Sequence, residues 1–181
     1  MNIRHSTESD RPKITNVYID AFGKDKGDEI AELVNQLLDD ETAKPVLSLV
    51  AEIDGQVIGH ILFTKAYLEP ENDQVTIQIL APLAICTALQ SQSIGSRMIQ
   101  EGLKQLKKSG VDLVFVLGHP SYYPKHGFKT AGILGFEALY PIPEEHADAW
   151  MVCELTPGVI GTVKGIVHVS KSLGQPKHWQ E

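Results

Sequence analysis

Hydrophobic positions along this chain change period several times, and each change marks an element. Ile14, Val17, Tyr18, Ala21 and Phe22 recur at helical spacing, and so do Ile30, Leu33, Val34, Leu37 and Leu38. Two amphipathic helices are predicted, divided near Gly27. A short strand over residues 2–5 precedes them, and Thr7-Glu8-Ser9-Asp10 with Pro12 supplies the helix-start signal. At Leu47, Leu49, Ala51 and Ile53 the period falls to two; Asp54-Gly55 then offers a hairpin turn into the apolar run Val57 to Phe63. Val75 to Cys86 is strand-like again, but Pro82 lies inside it. A proline has no N–H to give a ladder, so this position implies an edge, a bulge or a splayed strand. Ser91 to Lys108 predicts the next helix, with Ile94, Met98, Leu103 and Leu106 facing inward and Lys107, Lys108 and Gly110 suiting its C-terminal end. Val111 to Leu117 is almost wholly apolar, as a strand covered on both faces must be.

Beyond Gly118-His119-Pro120 the pattern gives a short helical turn around Tyr122 to His126, then strands near Gly135 to Leu139 and Trp150 to Leu155. Together these elements predict an α/β chain of the α+β kind, with a mixed, mostly antiparallel central sheet flanked by helices. After Thr156 the chain becomes rich in Gly, Val and Ile and ends in a polar stretch. With no internal repeat or low-complexity linker, residues 1–156 are expected to form one domain, and 157–181 a strand or tail extension of it.

Composition adds exclusions. The 181 residues suffice for one core, and 43% hydrophobic with 22% charged residues is ordinary for a globular chain. Every apolar run is interrupted well before the ~20 residues that span a bilayer, and the N-terminus lacks the apolar stretch of a signal peptide. No membrane partner is expected, and the location expected is cytoplasmic. Cys86 and Cys153 lie in apolar, strand-like contexts, which favours reduced thiols over a bridge. A formal net charge of -7 argues against a nucleic-acid surface, yet local N–H groups and a few cations suffice for an anionic cofactor.

The chemistry concentrates between Cys86 and Ser96. A Pro-broken strand leads through a short turn to a predicted helix start containing Ser91, Ser93, Gly95 and Ser96. The first N–H groups of a helix lack internal partners and sit at the positive end of its dipole, so small residues there make an anion site. Serine and glycine also open helices simply because they cap well. No P-loop lysine, no dinucleotide triple-glycine pattern and no metal-ligand spacing appears, so no metal is expected.

Three segments together carry a family resemblance: Leu80-Ala81-Pro82-Leu83-Ala84-Ile85, then Gln90-Ser91-Gln92-Ser93-Ile94-Gly95-Ser96, then Val116 to Phe128 with Tyr122-Tyr123-Pro124-Lys125-His126-Gly127-Phe128. In these the chain resembles the GNAT superfamily of N-acetyltransferases, in its YhbS-like branch, and the order of elements over about residues 1–156 agrees. The resemblance implies an acyl-CoA-dependent N-acyltransferase that moves an acetyl group from acetyl-CoA to a primary amine of a small molecule or peptide, by direct attack in a ternary complex. It also implies a splay between the fourth and fifth strands into which the pantetheine arm inserts, bonded by Leu83, Ala84 and Ile85. The pyrophosphate pattern of the family maps onto Gln90, Ser93 and Gly95, with Ser91, Gln92, Ile94 and Ser96 around them; its first glycine is replaced here by Ser93.

Tyr123 matches the position that protonates the departing thiolate. For the general base the fourth strand offers no carboxylate between Val75 and Ala84, which leaves Glu52, His60 and His119 as alternatives. His60, among apolar residues, also suits a purely structural role. Asp25, Asp28, Glu29 and Glu32 could attract a cationic amine or form a solvated face. The alternative activity is a non-catalytic acyl-CoA-binding or sensor module. The expected oligomeric state is a monomer or homodimer.

Overall fold

A computed structural model describes residues 1–180 of the chain. The strands are β1 (Asn2–His5), β2 (Leu47–Ile53), β3 (Gln56–Glu69), β4 (Ile77–Ile85), β5 (Leu113–Leu117), β6 (Phe128–Thr130), β7 (Phe136–Glu137), β8 (Trp150–Glu154) and β9 (Gly165–Val169). The α-helices are α1 (Arg11–Phe22), α2 (Lys24–Asp39) and α3 (Ile94–Lys108). The sheet runs β1-β2-β3-β4-β5-β8-β6, with β9 against the far end of β3 and β7 against β9. Neighbours are antiparallel except β4 with β5 and β7 with β9. This is the mixed, mostly antiparallel sheet expected.

Helices cover both faces, which explains the unbroken apolar run of β5. Leu113 and Phe115 point to the core beneath α1 and α2, while Val114 and Val116 point to the core beneath α3. The first helix pair divides at Gly23, with φ 86, rather than near Gly27. Gly27 lies instead within α2, where a Cβ would stand 2.5 Å from Ile19 Cα, so its small size is needed for the close approach of α2 to α1. Helix α3 starts three residues later than Ser91, because Ser91 and Ser93 both take left-handed backbone at φ 64 and 65.

Pro82 marks a bulge. Ile61 pairs with Leu83 and Phe63 with Leu80, so Ala81 and Pro82 together stand opposite Leu62. The extra residue exchanges the faces of the strand: Ile77 and Ile79 belong with the α1/α2 core before it, and Ala84 does so after it. The parallel ladder to β5 ends at the same point, with Leu80 opposite Val116. Beyond it β4 stays on β3 as far as Ile85, and β5 follows β8 to Leu117 opposite Trp150. The two central strands therefore diverge.

The segment after Thr156 returns across the molecule. β9 pairs with Ala66 to Glu69 of β3, and Leu173 and Trp179 are buried in the α1/α2 core. Asp40, just past α2, clamps it: Oδ2 accepts from Ser172 N at 3.0 Å and Ser172 Oγ at 2.8 Å, while Oδ1 accepts from Thr42 N at 2.8 Å and Thr42 Oγ at 2.6 Å. Burial pushes the Asp40 carboxyl up, but these hydrogen bonds outweigh it and hold it at about 2. Because this folded value is depressed, the clamp stabilises fully above the usual carboxylate range and is lost as pH falls through about 2. Asp40→Ala is expected to cost about 1–2 kcal/mol at neutral pH. Thermal unfolding should show Tm lower by roughly 2–8 °C, with the difference from the native chain shrinking between about pH 4 and pH 2.

Candidate active site

The divergence of β4 and β5 opens a cavity of about 510 Å3 on the α3 side. One wall is the end of β4, with Leu83, Ala84 and Ile85; the rim is Gln90, Ser91, Ser93, Ile94, Gly95 and Ser96; the opposite wall is His119, Tyr122, Tyr123 and Lys125. Ala21 and Phe22 at the end of α1 close it. Of the residues expected at a cofactor, only Gln92 lies outside the lining. The edge of β4 toward β5 has no strand partner from Ala81 onward, which leaves main-chain groups there for an extended ligand.

The rim is built for an anion. The first intrahelical bond of α3 is Arg97 N to Ser93 O at 3.1 Å, and no side chain caps the helix. The N–H groups of Ile94, Gly95 and Ser96 thus have no partner within the helix and stand at its positive end. Gly95 is required by space: a Cβ there would lie 2.7 Å from Tyr122 Oη. Ser91 and Ser93 carry strain that glycine would not, of order 1 kcal/mol or more each, held by the turn from Thr87 and the start of α3. Gln90 folds back, its Nε2 donating to Ile85 O at 2.9 Å, so its side chain finishes the end of β4.

Tyr123 is the buried tyrosine of the pair and Tyr122 the more open one. Tyr123 packs edge-on against Phe128 with centroids 5.5 Å apart, and sits so close to Gly118 that a Cβ there would be 2.4 Å from its ring. Burial, with a smaller contribution from Tyr122, pushes its hydroxyl well above the usual phenol range, so it stays protonated at neutral pH. Lys125 lies with Nζ 4.4 Å from the centroid of the Tyr122 ring, which places a cation on the cavity wall. His126 Nε2 lies 3.3 Å from Ser96 Oγ, linking the same turn to the first turn of α3. Sequence reasoning missed Tyr122, Lys125 and His126 as site residues; the Tyr-Tyr-Pro-Lys-His stretch was visible, but not which side chains face the rim.

Two of the three alternatives for the base lie elsewhere. Glu52 is absent from the cavity lining and holds Arg4, accepting from Nη2 at 2.9 Å and Nε at 3.2 Å, while the same guanidinium bonds Asp10. His60 is fully buried, with Nδ1 2.8 Å from Tyr18 Oη and Nε2 2.9 Å from Ser48 Oγ. Burial lowers it to about 3, against the opposing charge of Asp10, so it is a neutral clasp between α1 and the sheet. His119 does line the cavity.

A second cavity, of about 710 Å3, meets the divergence from the α2 side. Its floor is Ala81, Pro82 and Leu117; one wall is the α2 face bearing Lys26, Glu29 and Glu32, and the other is Leu173, Lys177, His178 and Gln180. Glu29 and Glu32 thus reach a concave site, whereas Asp25 and Asp28 are exposed and outside its lining. Nothing in the sequence pattern signals the tail residues, because an irregular stretch separates them from every periodic element.

A family profile described as Acetyltransferase (GNAT) domain matches residues 2–131. The uncharacterized N-acetyltransferase YjhQ of Escherichia coli is 46% identical over 162 residues, covering 86% of this chain and 88% of YjhQ. The crystal structure of the GNAT family N-acetyltransferase YhbS from Escherichia coli in complex with CoA has TM-score 0.84 at 28% identity, covering 96% of this chain and 92% of that one. A GNAT family acetyltransferase from Brucella melitensis in complex with acetyl-CoA has TM-score 0.74 at 28% identity, covering 95% and 97%.

The left-handed backbone at Ser93 generates a test. Ser93→Gly removes the strain while keeping the N–H groups of the rim, so acetyl-CoA affinity measured by calorimetry is expected to be equal or tighter. A tenfold loss would mean that the serine hydroxyl itself contacts the ligand.

Proposed function

This chain belongs to the GNAT family of acetyltransferases and is an acyl-CoA-dependent N-acyltransferase, and from that premise we propose that it transfers an acetyl group from acetyl-CoA to a primary amine of a small molecule or peptide by direct attack in a ternary complex. The observation that carries this reading is the end of the β4–β5 ladder at Leu80 and Val116, past which β4 lines one cavity with Ala81 and Pro82 and the other with Leu83 to Ile85. The relatives solved with CoA and acetyl-CoA support the choice of donor.

The residues present fit acetyl-CoA. The unpartnered N–H groups of Ile94, Gly95 and Ser96 would take its pyrophosphate, with Lys125 adding charge. The free edge of β4 at Leu83 to Ile85 would pair with the amides of the pantetheine arm as a further strand would. Acetyl-CoA supplies the activated acyl group. Tyr123 keeps its proton at neutral pH and gives it to the departing sulfur, and a main-chain N–H of the bulged strand near Leu83 stabilises the oxyanion. The acceptor approaches from the cavity between α2 and the tail, where Glu29 and Glu32 offer carboxylates to an amine beside Lys26 and Lys177. Cys86 and Cys153 are both free thiols, which supports placing the protein in the reducing cytoplasm.

A thiol-release assay with acetyl-CoA and a panel of polyamines, aminoglycosides, amino acids and lysine peptides tests the activity. Turnover of at least one amine is expected; saturable acetyl-CoA binding with no amine acetylated would instead support a sensor. Tyr123→Phe should lower kcat about a hundredfold while calorimetry shows acetyl-CoA affinity preserved. Full turnover by that variant would remove the assignment of the proton donor.

A further inference from the structure

An amine enters as the ammonium ion and must lose a proton before it can attack, and the bulged strand offers no acidic or basic side chain for this. Glu52 and His60 are engaged elsewhere, and His119 lines the cavity on the α3 side. On the α2 side the tail brings in an imidazole. His178 lines the second cavity opposite α2, and its Nε2 is buried with no hydrogen-bond partner among the described residues. An orphaned buried imidazole nitrogen calls for an explanation, and a proton to be received is one.

The imidazole is held in place by its neighbours. Trp179 is buried, donates from Nε1 to Leu173 O at 2.9 Å, and packs on Trp150 with ring centroids 5.8 Å apart. The backbone N–H of His178 donates to Gln175 O at 3.0 Å. Among the described residues, the charged groups of this cavity are Lys26, Glu29 and Glu32 on α2 and Lys177 on the tail, while β4 and β5 contribute Ala81, Pro82 and Leu117. Burial and, to a lesser degree, Lys177 hold His178 below its ordinary value, and Glu29 opposes them. The group is therefore neutral at pH 7 and able to receive a proton.

We infer that His178 is the proton acceptor for the amine in this cavity, and that Glu29 on the facing helix steadies the imidazolium it becomes. The inference rests on the acetyl-transfer reading above. One proton of R–NH3+ passes to the imidazole, giving R–NH2. The nitrogen lone pair forms the C–N bond, the C–S bond breaks, and its electron pair leaves on sulfur. Sulfur takes the Tyr123 proton, the second proton shed by nitrogen restores Tyr123, and the imidazolium proton goes to solvent. The net products are the amide, the free thiol of CoA and one H+.

The experiment compares the full-length chain with His178→Gln and His178→Ala, using acetyl-CoA and whichever of spermidine, kanamycin or a lysyl peptide the native chain acetylates fastest. Both variants should lower kcat about 10- to 100-fold at pH 7 with KM for acetyl-CoA unchanged. The acid limb of the native kcat/KM profile, set below the ordinary imidazole range, should be lost in His178→Gln. Added imidazole should restore part of the activity of His178→Ala. Equal kcat/KM for native and His178→Gln chains across pH would overturn the role of His178 alone. A native chain that binds acetyl-CoA and acetylates none of these amines, nor any other of the panel above, would overturn this role together with the acetyl-transfer reading.

Discussion

Ala81 and Pro82 stand opposite the single residue Leu62, and at that bulge β4 parts from β5. Proline contributes no N–H there, so continuing the ladder would leave an acceptor on the neighbouring strand without its donor. The bulge also exchanges the faces of β4, so that Leu83 and Ile85 pack toward α3 while Ala84 turns to the other core. One irregular step thus ends the β4–β5 ladder and leaves a free strand edge beside the start of α3. Both cavities border it.

The chain is acidic overall, and the anion site proposed for it is built from main chain rather than from a basic surface. Three N–H groups at the positive end of α3 and a lysine over the Tyr122 ring make a local cradle within a chain of net charge -7. Two serines in left-handed backbone keep the turn before it in shape. Strain of this kind persists only where surrounding structure over-determines it, and here the end of β4 and the body of α3 do so. The tail has a comparable role on the opposite side: Asp40 and the Trp179 indole fix a segment with little regular structure so that it forms a cavity wall.

Much of this was legible in the sequence, for identifiable reasons. The continuous apolar run of β5 announced burial on both faces, and Pro82 announced an interruption in β4. The pair Asp54-Gly55 marked its hairpin, and both residues take positive φ there. Where reading failed, local pattern competed with geometry it does not encode. Ser91 and Ser93 resemble helix-start residues by type, yet lie before α3 because the turn demands left-handed backbone. Gly27 looked like a break, but Gly23 makes it and Gly27 makes room for packing. Strand β6, three residues long, is too short to show a period. Glu52 was a free carboxylate in one dimension; in three, Arg4 occupies it. His178 meets α2 only through the return of the tail, a contact between distant segments that no periodicity reveals.

The central claim is that acetyl-CoA lies along the free edge of β4 with its phosphates on the start of α3. Amide hydrogen exchange of the full-length chain with and without acetyl-CoA reads both places at once. Added protection concentrated at Leu83 to Ile85 and at Ile94 to Ser96 is the predicted result. Saturable binding with protection confined to other segments, and none at these two, would contradict it.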